Sequence, residues 1–262
     1  MEIHIIRHGP KEIVEAHTTG REASLDDSLR YVIHNYAKNL SETLTGDVDV
    51  DSLALSRNYK TAEIIADELR DTGMKVNGPT IDDRLGAFVG ENGEMNLLSP
   101  DLPKIWGDAE KNYQNVAGVA KEDRGMYAWA EYGLDRAEGG ISLRELACRM
   151  GQYVLETIEK DLDTVVAISN SGFIEPFMYV TLDMIEQLDK TAVEYFFETD
   201  GAVRPLEGIT ITSYDGETVE MTLPNGETIQ FSKDVLREQV ESLEESEEMF
   251  DQTGEGVECS GD

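Results

Sequence analysis

Residues 5–9 read Ile5-Ile6-Arg7-His8-Gly9, and they decide how the rest of the chain is read. Residues 3–6 have the apolar character of a central strand, yet the run stops at once in an arginine, a histidine and a glycine. Parallel sheets place their ligands just beyond the C-terminal ends of their strands, so Arg7 and His8 fall where chemistry is expected.

Working outward, a polar loop over 10–20 carries His17, and Ala23, Leu25, Leu29, Val32, Ile33, Tyr36, Ala37 and Leu40 then recur at helical spacing. A short strand is predicted over 52–56 and a helix over 59–71, with Gly73 as its stop signal. Residues 76–81 form a further candidate strand. From 88 to 140 the pattern is irregular, with Gly, Pro and both tryptophans, Trp106 and Trp129, which reads as an insertion over one end of a sheet. Helical period returns over 142–158, and 164–169 (TVVAIS) is an apolar run suited to a strand buried on both faces. A helix over 172–188 follows, with Pro176 in its first turns. Three short strand-like runs close the pattern, GITITSY, ETVEMTL and ETIQFS, the last two joined through Asn225-Gly226, whose residues tolerate positive φ.

Alternation of β and α elements predicts an α/β fold: a mostly parallel central sheet, helices on both faces and a C-terminal β-hairpin. The reading divides the chain into a domain over 1–236, with 88–140 inserted, and an acidic tail over 237–262, a helical stub followed by disorder.

Composition excludes several functions. The formal charge of -32 repels phosphate backbones and anionic lipid, so nucleic-acid and membrane partners are not expected. An anionic ligand must instead be held by a local pocket of positive charge. Acidic residues scattered along the chain as well as in the tail fit a salty cytoplasm, where screening relieves self-repulsion. No run of about 18 apolar residues exists and no signal peptide follows Met1, which places the chain in the cytoplasm. Cys148 and Cys259 lie far apart and are expected to be free thiols. His4, His17 and His34 lack a second ligand at metal spacing, so no metal and no cofactor are expected.

Taken in order, several stretches resemble the histidine phosphatase superfamily, also called phosphoglycerate mutase-like. Arg7-His8-Gly9 after the first strand matches the family signature. Ser52 to Ala62, with Arg57, Thr61 and Ala62, is similar to its "Ser, spacer, Arg, spacer, Thr-Ala" strand-to-helix stretch. Gly139-Gly140-Ile141-Ser142-Leu143, with Arg149 later, is similar to its Gly-Gly-Glu-Ser-Leu helix entry. Val165 to Ile174 (VVAISNSGFI) is similar to the turn usually reading Ser-His-Gly-Gly-x-Ile. The ordered set covers most of residues 1 to about 180 and is far more specific than the RHG tripeptide alone.

The resemblance implies a three-layer fold with 88–140 capping the active site, and a phosphohistidine formed at His8. The residue types suit that role on physical grounds. A histidine attacking phosphorus must be neutral at its attacking nitrogen, while charge spreads over the phosphoryl oxygens. Arg7 and Arg57 each offer those oxygens a planar fork of donors that stays charged. Gly9, Ser171 and Gly172 are expected to line the substrate site, the last two through backbone N–H groups at a helix N-terminus, with His17 lining the pocket from its loop.

The sequence also departs from the family. Asn170 stands where the second active-site histidine is usual. An asparagine amide still donates, but a neutral hydrogen bond contributes roughly 0.5 to 1.5 kcal/mol against about 1.5 to 3 for a charged one. The usual proton-donating carboxylate falls on Gly86 or Ala87, leaving Asp83, Glu91 and Glu94 as substitutes, and Ile141 replaces a further family glutamate. Pro10-Lys11 after the signature, and Thr19 to Ala23 later, look like the small phosphatase branch rather than a mutase. Two functions remain open. One is a phosphatase acting on a small phosphoester or a phosphoprotein. The other is a catalytically impaired relative that binds a phosphorylated ligand or partner.

Overall fold

A computed structural model describes residues 1–10, 25–86, 88–89, 95–96, 116–120, 123–132, 143–160, 162–186, 191–198 and 201–241. Strand β1 (Glu2–Arg7) lies inside a seven-stranded sheet. The other strands of that sheet are β2 (Val48–Ser52), β3 (Val76–Ile81), β6 (Thr164–Ser169), β7 (Gly208–Ser213), β8 (Thr218–Thr222) and β9 (Thr228–Ser232), in the order β3-β2-β6-β1-β7-β8-β9. The first four positions in that order are parallel, and β7, β8 and β9 continue from β1 as an antiparallel meander. A separate two-stranded ribbon pairs β4 (Phe88–Val89) with β5 (Met95–Asn96).

Alternation along the central strands builds two cores, one on each face of the sheet. Ile3, Ile5, Val165 and Ala167 face the larger core, whereas Ile6, Val50, Val166 and Ile168 face the smaller one. Helices α1 (Arg30–Ser41) and α2 (Ser56–Asp71) cover the smaller core through Ile33, Ala37, Ile65 and Leu69. The larger core is closed by α3 (Arg124–Tyr132), α4 (Leu143–Glu159), α5 (Ser171–Glu186) and α6 (Ala192–Glu198). A last helix, α7, runs over 233–241 and buries Leu236 in the same core. Both faces are therefore shielded from water, which explains why β6 reads as an unbroken apolar run with every residue buried.

The strand expected over 52–56 is displaced. Residues Val48–Ser52 form β2, and Ser52 is its last residue before the turn into α2. The sequence VDVDS hides this strand because Asp51 sits on the face toward α4, where the Tyr153 hydroxyl donates to it at 2.8 Å. Burial pushes the Asp51 carboxyl above its usual range, and the Tyr153 bond pulls it back. The first helix, expected from Ala23, begins only at Arg30 after a 3-10 turn at Asp27–Leu29, whereas the helices over 59–71, 142–158 and 172–188 stand within three residues of their expected bounds. The three C-terminal runs are strands that extend the main sheet as its antiparallel edge, with the expected hairpin between the last two.

Close approach, not backbone strain, fixes two glycines. A Cβ on Gly9 would lie 2.6 Å from Ile33 Cδ1, so α1 seals against the turn after β1 only without a side chain there. On Gly208 it would meet the Ile5 carbonyl at 1.9 Å, which would force β7 off β1. Cys148 is a buried free thiol in α4, and Cys259 lies outside the described residues. Among the described residues no helix is long and apolar enough to cross a membrane.

Candidate active site

The ends of β1, β2 and β6 meet at one point because the three strands are parallel neighbours in register. The His8 N–H extends the β1–β6 ladder by one bond, donating to the Ser169 carbonyl at 3.0 Å. His8 is only 3% exposed, and Asn170, the residue after β6, is 8% exposed. Arg57 enters from the first turn of α2.

Two hydrogen bonds fix the His8 imidazole. Its Nδ1 faces the Gly9 carbonyl at 2.6 Å, and since a carbonyl only accepts, Nδ1 carries the proton. Its Nε2 receives the Arg57 Nε–H at 3.1 Å, and since a guanidinium only donates, Nε2 presents a lone pair. The ring is thereby held in the tautomer protonated at Nδ1, with an unprotonated Nε2. The same Arg57 donates through a terminal amine to Asn170 Oδ1 at 3.4 Å, which turns the Asn170 Nδ2 amide away from Arg57 as a donor.

Thr61 ties this arrangement together. Its hydroxyl accepts from the Gly9 N–H at 3.0 Å and donates to the Arg57 carbonyl at 2.8 Å, coupling the turn after β1 to the first turn of α2. Asn58 Nδ2 donates to the Ser169 carbonyl at 2.9 Å and pins α2 to the end of β6. The backbone carbonyl of Asn170 accepts from Phe173 and Ile174, so the N–H groups of Ser171 and Gly172 stand at the open N-terminus of α5.

Arg7 is held from the other side. Its N–H donates to the Glu207 carbonyl at 2.8 Å and one terminal amine to the Val203 carbonyl at 2.5 Å. Burial lowers Arg7 from the usual arginine range, with Glu175 opposing the shift. Arg57 is lowered to about 10, first by burial and then by repulsion from Arg7. With Arg57 at about 10, it stays cationic at neutral pH, and the two guanidiniums repel each other across the site.

The sequence-based candidates fall into three groups. His8, Arg57 and Asn170 are in direct hydrogen-bond contact, and Arg7, Gly9, Ser171 and Gly172 border them. Asp83 lies exposed in a 3-10 turn, Asp83–Leu85, with no side-chain bond or ion pair to the cluster among the described residues. That turn nevertheless touches the site, because Ser169 Oγ donates to the Leu85 carbonyl at 2.5 Å. His17, Glu91 and Glu94 lie outside the described residues. Among the described residues no group of three or more His, Cys, Asp or Glu could hold a metal ion.

Sequence reasoning passed over Glu175, a fully buried carboxyl on α5. Its signal was a lone acid inside the apolar run FIEPFMYV. The backbone of Val203 was also missed, and no side-chain pattern could have marked it.

This architecture is the phosphoglycerate mutase-like fold that the motifs implied, as likenesses among solved structures show. "Mycobacterial hydrolase 1" superposes with a TM-score of 0.54 at 18% identity, over 85% of this chain and 95% of its own. A mycobacterial glucosyl-3-phosphoglycerate phosphatase, solved in complex with VO3, gives 0.53 at 17% identity over 85% and 96%. "Mycobacterial hydrolase 2" gives 0.52 at 18% identity over 92% and 97%. At such identities the likeness carries the fold. No protein-family model and no curated protein sequence matches the chain.

Proposed function

We propose that the protein is a metal-independent phosphatase that hydrolyses a small phosphomonoester through a phosphohistidine at His8. The observation carrying this reading is the imidazole held with Nδ1–H on the Gly9 carbonyl and the Nε2 lone pair facing Arg57. A phosphatase of the same fold solved with VO3 supports the class of chemistry.

In the free site the Arg57 Nε–H covers the nucleophile's lone pair. An entering phosphoryl group draws the guanidinium onto its oxygens, because a charge-assisted bond to an oxyanion is stronger than one to imidazole. Nε2 is then free to attack phosphorus in line with the ester oxygen. The N–P bond forms as the P–O bond breaks, and Arg7, Arg57, the Asn170 amide and the Ser171 and Gly172 N–H groups take up the charge on the equatorial oxygens. The departing alkoxide takes a proton from a carboxyl, for which Asp83, Glu91 and Glu94 are the candidates. The same carboxylate receives a proton from the water that attacks the phosphohistidine, releasing inorganic phosphate and restoring His8.

Asn170 favours a second reading. With no charge at that position, and with Arg57 already satisfied by His8 and Asn170, the pocket suits reversible capture of a phosphorylated ligand without turnover. Hydrolysis of p-nitrophenyl phosphate across a range of salt concentrations separates the two. The phosphatase reading expects release of nitrophenol that falls at least about 10³-fold in His8→Ala. Absence of turnover by the native protein, with phosphate still raising its melting temperature, establishes the binding function instead.

A further inference from the structure

Behind Arg7 lies a buried acid that the reaction above does not use. Glu175 is fully buried on α5, a helix that packs against β1. Its Oε1 accepts the Val203 N–H at 2.9 Å, and the Val203 carbonyl accepts from the Arg7 guanidinium at 2.5 Å. One residue of the loop ahead of β7 therefore has its N–H held by Glu175 and its carbonyl held by Arg7. Glu175 Oε2 and Arg7 Nε are both buried and have no hydrogen-bond partner among the described residues. A carboxyl and a guanidinium are thus linked through Val203, near enough for each to act on the other's charge, with bonding capacity left over on both.

Resting on the phosphatase reading, we infer that Glu175 is a positioning residue that sets how much of the charge on Arg7 is offered to the phosphoryl group. While Glu175 keeps its proton it holds Val203, and through it Arg7, without neutralising the guanidinium. When the proton leaves, the carboxylate draws Arg7 toward itself and the anion site weakens.

The surroundings agree with this arrangement. Burial drives the Glu175 carboxyl up to about 8, with Arg7 and the Val203 N–H opposing and Asp123 reinforcing the rise. Asp123, at the turn into α3, is committed to Arg204 through two bonds of 2.7 and 2.9 Å. Glu207, on the same loop as Arg204, acts on Arg7 but not as a direct partner of Glu175. From α4 the charged contact with α5 is Arg144 to Asp183, two turns further along, and α6 meets α5 with Tyr195 stacked on Tyr179. Arg7 is thus the strongest charge acting on Glu175, and Glu175 the strongest charge acting on Arg7, ahead of Arg204, Asp123 and Glu207.

Inorganic sulfate is a suitable probe because it stays doubly charged while Glu175 titrates. Its dissociation constant is measured by calorimetry from pH 6.5 to 9 at fixed ionic strength, for the native protein and Glu175→Gln. Glutamine keeps the oxygen that accepts from Val203 and removes the titration. The native protein is expected to lose roughly tenfold in affinity across the range, the difference between a charged and a compensated donor. Glu175→Gln is expected to lose at least about fivefold less affinity than the native protein over the same range, since every other group is shared by the two proteins. Equal pH profiles in the two proteins would overturn the inference while leaving the anion site standing. A native profile flat from pH 6.5 to 9 would overturn it even if the variant failed to fold. If sulfate bound at no pH, the pocket itself, and with it the phosphatase reading, would be refuted.

Discussion

The parallel and antiparallel halves of the sheet do different work at the same site. The half β3-β2-β6-β1 ends in side chains: His8, Asn170 and, one turn later, Arg57, which bonds to both of the others. From the half β7-β8-β9 comes a backbone hold, the Val203 and Glu207 carbonyls that fix Arg7 from the loop ahead of β7, with the charges of Arg204 and Glu207 acting at longer range. The candidate site sits where parallel strands stop together, and the loop ahead of the meander keeps the arginine in place. Substitutions in the two halves should therefore separate activity from stability.

The strongest test of that division is Arg57. Arg57→Ala is expected to lower kcat/KM by about 10²–10³-fold, as for the loss of one preorganised donor of an oxyanion site, with Arg57→Lys recovering only part because it lacks the fork. Steady-state kinetics on both variants checks this, and full rescue by lysine would show that charge alone is at work. Next in size, Asn170→His is expected to raise turnover by about tenfold, because a charged donor replaces a neutral one at the phosphoryl oxygens. No gain would mean that Asn170 does not reach the transition state.

On the other half the sign of the separation reverses. Ile211, fully buried on β7, is expected on Ile211→Ala to cost about 2–5 kcal/mol in urea unfolding while leaving kcat/KM of the folded protein within about twofold. A large kinetic loss would break the division between the halves. A stability effect of comparable size, spread over pH, concerns Glu175. The native state retains a proton that the unfolded chain releases above the ordinary carboxylate range, so between about 4.5 and about 8 native stability falls with rising pH. Glu175→Gln lacks this contribution, and the difference in unfolding free energy between the two proteins, followed by denaturation at each pH, is expected to shift steadily toward the variant through that window.

Legibility in the sequence follows the same line. TVVAIS and IHIIRHG could be read because burial on both faces leaves an unbroken apolar run, and because a parallel strand delivers its ligand-binding side chains directly after its end. The strand VDVDS was misplaced by four residues, since Asp51 is tolerated only through a hydroxyl that arrives from a helix about a hundred residues later. Arg57 was legible as a side chain, whereas its hold on the Nε2 of His8 was not. Thr61 appeared within a motif, but its bridging of Gly9 to Arg57 exists only after folding. Val203 contributes no side chain to the site, and backbone carbonyls carry no residue code.

The central claim is that the fold presents Nε2, and not Nδ1, of His8 as the nucleophile. The most direct measurement is to incubate the protein with a labelled phosphoryl donor, quench in base, and assign the acid-labile phosphohistidine by ³¹P NMR of the His8 peptide. A phosphoryl group on Nε2, absent in His8→Ala, is the expected result. A phosphoryl group on Nδ1, or none at all from a donor that the protein hydrolyses, would contradict the account.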